Sequence, residues 1–191
     1  GGSDPFDVLD SADVTQAATL AARVRLANAG QICVSPKRVI VTDKVADEFI
    51  ATYAQIFAAA RVGDPFDAET TVGPMASVSA AQDLQELYQD AVDKGATVVV
   101  PGGRQDGPGA YFTPAVITDI TPEMDVYSEE AFGPLGMIHR VADADAAIAL
   151  ANDSKYGLTG TVFGADIEEA TRVASALDVG GVGINRYFGA P

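Results

Sequence analysis

One side chain in this sequence is nucleophilic enough to begin covalent chemistry unaided. It is Cys33, the single cysteine among 191 residues. Cys33 ends the segment Asn28-Ala29-Gly30-Gln31-Ile32-Cys33, directly after a stretch whose spacing predicts a helix stopped at Gly30. A helix end that abuts a loop exposes backbone and can present a thiol to a substrate. A thiolate is a strong nucleophile near neutral pH, and local charge and hydrogen bonding govern its formation. Lys37 and Arg38 follow closely enough to favour the charged form, although Arg38 also opens a strand and could point outward. On composition alone, a lone free cysteine is more often a small buried hydrophobe. Two readings therefore stand: a reactive thiol in an enzyme domain, or a buried structural cysteine in a catalytically silent α/β interaction module.

The other chemistry-bearing residues narrow the field. His139 is the only histidine and sits inside a strand-like run, where packing or a local hydrogen bond accounts for it. Gly102-Gly103 and Gly180-Gly181 are isolated pairs, and neither completes the G-x-G-x-x-G turn between strand and helix. An isolated dinucleotide-binding domain is disfavoured on that ground. One cysteine excludes an internal disulfide and any multi-cysteine zinc site, so no metal is expected. A net charge of −15 argues against nucleic acid and anionic membrane as partners. No apolar run approaches the roughly 20 residues of a membrane span, and no signal peptide is read at Gly1-Gly2-Ser3-Asp4. The expected compartment is the cytoplasm.

The elements that must position Cys33 alternate. Strands are read at 6–9, 38–42, 97–100, 115–118, 135–138, 158–163 and 181–185, and helices at 13–28, 44–60, 77–94, 143–152 and 166–177. Asp10 or Ser11 is the expected cap of the first helix. In the second, Val45, Phe49, Tyr53, Ile56 and Phe57 form one apolar stripe. Residues 101–109 read as a turn-rich loop. Short apolar runs between helices predict a mostly parallel sheet covered on both faces, a single three-layer α/β/α domain.

Several blocks in order carry a resemblance. Asn28-x-Gly30-Gln31-x-Cys33, Gly63-Asp64-Pro65, Val72-Gly73-Pro74, Glu129-Glu130-x-Phe132-Gly133-Pro134, Asn152-Asp153-Ser154-Lys155-Tyr156-Gly157-Leu158 and Gly183-Ile184-Asn185 resemble the catalytic domain of the aldehyde dehydrogenase superfamily. The opening Gly1-Gly2-Ser3-Asp4-Pro5-Phe6 is similar to the continuation of that family's Glu-Leu-Gly-Gly segment.

The resemblance implies that Cys33 attacks an aldehyde carbonyl to give a thiohemiacetal. Hydride transfer to NAD or NADP then leaves a thioester that water hydrolyses. Glu130 and Phe132 match positions that hold the nicotinamide ribose and flank its ring. Asn28 is expected to brace the loop, and Tyr187 and Phe188 to line a substrate entrance. The family's catalytic glutamate would fall two residues before Gly1, and its dinucleotide-binding domain earlier still. The chain ends at Gly189-Ala190-Pro191, ahead of an oligomerisation tail. Residues 1–191 are thus expected to be a truncated catalytic domain, inactive alone and without tight cofactor binding, from an enzyme that forms a homodimer or homotetramer. The wording of the blocks is closest to bacterial succinate-semialdehyde dehydrogenases. Members of that group carry a substrate-carboxylate arginine six residues before the cysteine, where this chain has Ala27; Arg25 falls on another face of the helix.

Overall fold

The computed structural model describes residues 1–188, so the chain end at 189–191 lies outside the described residues. Strand β1 (Asp4–Val8) leads into helix α1 (Val14–Leu26), then β2 (Pro36–Thr42) and α2 (Asp43–Ala58). Helix α3 (Val78–Asp93) precedes β3 (Thr97–Val100), a hairpin of β4 (Gly103–Arg104) and β5 (Phe112–Thr113), and β6 (Ala115–Thr118). The chain continues through α4 (Asp125–Ser128), β7 (Leu135–Val141), α5 (Ala144–Asn152), β8 (Gly160–Phe163), α6 (Ile167–Ala176) and β9 (Val182–Ile184).

Seven strands form one sheet in the order β3-β6-β7-β2-β1-β8-β9. All neighbours run parallel except β3 and β6. β1 and β2 are buried along their whole length, which is why they read as near-continuous apolar runs. On one face, Phe6, Val8, Val39, Val41 and Ile138 meet α1 and α2. Helix α1 offers that face only Ala17, Ala18, Ala21 and Ala22 at its centre, side chains short enough for close approach. Helix α2 stacks Phe49, Tyr53 and Phe57 one turn apart, with ring centroids 5.7 and 4.7 Å apart. On the other face Ile40 and Val162 meet the small residues of α5 and α6. A third cluster joins α3 to β6 and β7 through Leu84, Tyr88, Ile117 and Met137.

The three-layer architecture matches the sequence expectation, with local corrections. Helix α1 is capped by Asp13, whose side chain accepts from the Gln16 N–H, and not by Asp10 or Ser11. The helix ends at Leu26, four residues before Gly30. β3 pairs antiparallel with β6, and the loop expected at 101–109 contains one strand of the β4–β5 hairpin. One residue defies its surroundings. Asp7, in the middle of β1, is fully buried on the α5–α6 face beside Ile40 and Val162, with neither carboxylate oxygen hydrogen-bonded.

Candidate active site

Parallel strands bring their starting ends to one edge of the sheet. Gly1-Gly2 precedes β1, the Cys33 loop precedes β2, Glu130 and Phe132 precede β7, and Tyr156-Gly157-Leu158 precedes β8. The residues singled out in the sequence therefore gather at the amino edge, not at the carboxyl edge where ligands of open α/β sheets usually bind.

Cys33 is exposed, against the alternative that needed it buried. After α1 the chain makes a tight turn over Ala27–Gly30, with Asn28 and Ala29 both at positive φ (51° and 52°). Gly30 follows at φ 72°, and a Cβ there would collide with the Gly133 carbonyl. Asn28 braces the turn as expected. Its Nδ2 donates to the Gln31 carbonyl at 3.2 Å, and Gln31 Nε2 returns a bond to the Asn28 carbonyl at 3.0 Å.

Two buried cations then tie the Cys33 loop to the loop before β7. Arg25, fully buried, donates to the Gly30 carbonyl (3.1 Å) and Ser35 Oγ (3.1 Å) on one loop, and to the Ala131 (2.6 Å) and Leu135 (2.9 Å) carbonyls on the other side. Burial brings its pKa down to about 10, so it stays charged at neutral pH. Lys37 turns back beneath Cys33. Its Nζ donates to the carbonyls of Cys33 (2.8 Å) and Ile32 (3.0 Å) and lies 3.1 Å from Glu130 Oε1. The same ammonium sits 5.8 Å from the centre of the Phe132 ring. Burial lowers the Lys37 pKa, and Arg25 adds to this, while Glu130 and Asp4 oppose it.

Glu130 and Phe132 thus lie beside the Cys33 loop. The Glu130 Oε1–Lys37 contact is an ion pair without the alignment of a hydrogen bond, and Oε2 lies over Gly1, where a Cβ would strike it. Gly2 is pressed against the Cys33 carbonyl, which a Cβ there would also strike. Phe132 is 43% exposed, an unusual state for a large apolar side chain held in place on both sides. A carboxylate held on one oxygen by Lys37, beside a half-open aromatic face, suits a ribose diol and a flat ring, so these residues fit a nicotinamide cofactor.

Tyr187 donates its hydroxyl to the Val34 carbonyl at 2.7 Å, which fixes the far side of the loop; burial raises its pKa to about 12. Phe188 is partly exposed and packs over Gly181. Arg38 contradicts the expectation that it either favours the thiolate or points outward. It is buried, and its guanidinium caps the end of α5 at the Leu150 and Ala151 carbonyls (both 2.8 Å) and bonds the Ser3 carbonyl at 3.0 Å. His139 is buried against Tyr127, and burial lowers its pKa to about 4. No cluster of metal-ligating side chains exists among the described residues.

The geometry can be compared with known proteins. The aldehyde dehydrogenase family pattern matches residues 1–191. The chain belongs to the aldehyde dehydrogenase family. It is 52% identical over 185 residues to an NADP(+)-dependent succinate-semialdehyde dehydrogenase of Deinococcus radiodurans, covering 97% of this chain and 39% of that protein. It is 40% identical over 187 residues to an NAD(P)+-dependent succinate semialdehyde dehydrogenase of Escherichia coli, covering 98% and 40%. The crystal structure of succinic semialdehyde dehydrogenase from Streptococcus pyogenes with NADP+ superimposes with a TM-score of 0.94 at 40% identity, over all of this chain and 42% of that one. A salicylaldehyde dehydrogenase from Pseudomonas putida superimposes with a TM-score of 0.92 at 38% identity, over all of this chain and 39% of that one. The chain therefore spans about two fifths of the length of the aldehyde dehydrogenases it matches. No described helix of this aldehyde dehydrogenase chain is long and apolar enough to cross a membrane.

The sequence reading missed what Arg25 and Lys37 do. Arg25 was weighed only as a possible substrate contact, yet all its bonds go to backbone and Ser35. A charged residue flanked by apolar helix positions was the available signal.

Proposed function

We propose that the polypeptide containing these residues oxidises an aldehyde to its acid through a covalent bond to Cys33. The Cys33 thiolate attacks the carbonyl carbon, forming a carbon–sulfur bond and an oxyanion. As the carbonyl re-forms, hydride leaves that carbon, and water then displaces the thioester sulfur to release the acid. A bound NAD or NADP supplies the hydride acceptor. In this reading Glu130 accepts hydrogen bonds from the ribose hydroxyls, and Phe132 flanks the ring. The backbone N–H of Cys33, its loop clamped by Arg25, Lys37 and Tyr187, is available to the oxyanion. The observation that carries the reading is the exposed Cys33 thiol on a loop joined through one ammonium to the Glu130 carboxylate.

The supported substrate is succinate semialdehyde, the aldehyde named for two relatives. Arg25 cannot bind its carboxylate, because the guanidinium is buried and fully engaged. Arg23 can. It lies one turn before Ala27 on α1, lines an open groove of about 470 Å³ with Ala27, Leu26 and Ile56, and meets no carboxylate among the described residues. A cytoplasmic homodimer or homotetramer, completed by a dinucleotide-binding domain outside residues 1–191, belongs to the same reading.

The test is turnover and labelling of the full-length polypeptide. Iodoacetamide should modify Cys33 and abolish aldehyde oxidation in proportion, and Cys33→Ala should be inactive though folded. An active Cys33→Ala variant would end the proposal. Arg23→Ala should raise KM for succinate semialdehyde while leaving KM for butanal unchanged; equal effects on both would remove Arg23 from substrate recognition.

A further inference from the structure

We propose that Lys37 is a positioning residue for the cofactor: it aims the Glu130 carboxylate from the backbone of the nucleophile loop. The inference rests on the reading that Glu130 binds the ribose. Lys37 has no exposed side-chain surface, and burial together with the nearby Arg25 disfavours its charge. A fold keeps such an ammonium only when its donors are matched. Its donors meet the Ile32 and Cys33 carbonyls at 3.0 and 2.8 Å and, at 3.5 Å, the Ser35 carbonyl. A neutral donor could serve those carbonyls, all of its own loop. The charge is explained by the remaining contact, to Glu130 Oε1 at 3.1 Å, which crosses from one loop to the other.

Arg25 spans the same two loops but bonds the Ala131 carbonyl, not the Glu130 side chain. The two cations therefore divide the work. Arg25 holds the loops together, and Lys37 fixes where the carboxylate stands relative to Cys33. With Oε1 held by Lys37, Oε2 is left beside Gly1 with lone pairs free for a diol. Without Lys37 the carboxylate loses its only ion-pair partner among the described residues and can rotate toward solvent. Cofactor binding must then order it again, a cost that weakens affinity by about three- to ten-fold. The ammonium also lies near the Phe132 ring, so the same residue limits where the aromatic face sits.

The experiment measures cofactor dissociation constants by fluorescence titration with the reduced nicotinamide cofactor, on the full-length polypeptide without aldehyde. Lys37→Met and Glu130→Gln should each weaken binding, and the double variant should bind no more weakly than Glu130→Gln alone. Saturating cofactor should restore kcat in Lys37→Met to a greater extent than kcat/KM. If Glu130→Gln weakens binding while Lys37→Met binds like the wild type, the inference fails and the Glu130 reading survives. Multiplicative losses in the double variant also overturn it. If Glu130→Gln binds normally, both fail. Should Lys37→Met not fold, Lys37→Arg gives the same cycle. It keeps the charge but changes its reach, and its effect on affinity must vanish in the Glu130→Gln background.

Discussion

Replacing Asp7 should stabilise the fold, and the gain should grow with pH. Asp7 is fully buried at the centre of the sheet, and burial lifts its pKa from 3.8 to about 8, against a smaller opposing pull from Arg38. That guanidinium is occupied by the Ser3, Leu150 and Ala151 carbonyls and does not hydrogen-bond the carboxylate. Between pH 4 and 8 the folded chain thus holds a proton that the unfolded chain has released. The unfolded state binds fewer protons, so stability falls as pH rises, by about 1.4 kcal/mol per unit, and levels off above pH 8. Burying the neutral acid without partners costs roughly a further 1–3 kcal/mol at any pH. Asp7→Val suits a strand flanked by Ile40 and Val162. Urea unfolding followed by circular dichroism, from pH 5 to 8.5, should show the variant more stable by at least about 2 kcal/mol at pH 5, with the difference widening by about 1.4 kcal/mol per unit until pH 8. Because the other titrating groups are common to both proteins, the difference isolates Asp7. A gain that stays constant with pH, or a loss, would refute the reasoning.

His139 titrates in the opposite sense. Burial holds its pKa near 4, below the 6.5 of the unfolded chain, so its contribution is lost as pH falls through that window. His139→Phe should flatten the acid side of the urea stability profile below pH 6.5. Arg25→Met should lower stability by about 3 kcal/mol or more, because it strands buried carbonyls on two loops; Arg25→Lys should recover only part of the melting temperature. Gly30→Ala should destabilise by about 1–3 kcal/mol, since the residue is at positive φ and its Cβ strikes Gly133. It should also alter the rate at which iodoacetamide labels Cys33, whereas Gly107→Ala, at positive φ but in open space, should leave that rate unchanged.

The layered architecture was legible because strand and helix periods alternate cleanly along this chain. Val39-Ile40-Val41, short and β-branched, reads as a strand buried on both faces, and Val45, Phe49, Tyr53, Ile56 and Phe57 read as one helix stripe. The motifs around Cys33, Glu130 and Phe132 stood out in the sequence, but that all three sit at the amino edge of one sheet did not. Local periodicity does not reveal pairing direction, so the antiparallel β3–β6 contact was hidden, as was the two-residue β4–β5 hairpin. The roles of Arg25, Lys37 and Arg38 were hidden for a related reason. Each is defined by carbonyls that arrive from elsewhere in the chain or fold back in a tight loop, and backbone acceptors leave no mark in a sequence. Asp7 sat within a run read as a strand, and only the sheet register shows that it faces apolar neighbours on both sides.

The order of strands also dictates when the thiol acquires its setting during synthesis. β1 lies between β2, which follows within about thirty residues, and β8, just before which Thr159 bonds Asp4 across 155 positions. Tyr187 reaches Val34 across 153. A ribosome must therefore release nearly the whole segment before the contacts that hold the loop around Cys33 are all in place. Until then the sulfhydryl of the nascent chain is held only by the local bonds of residues 25–37, and the long-range frame arrives last.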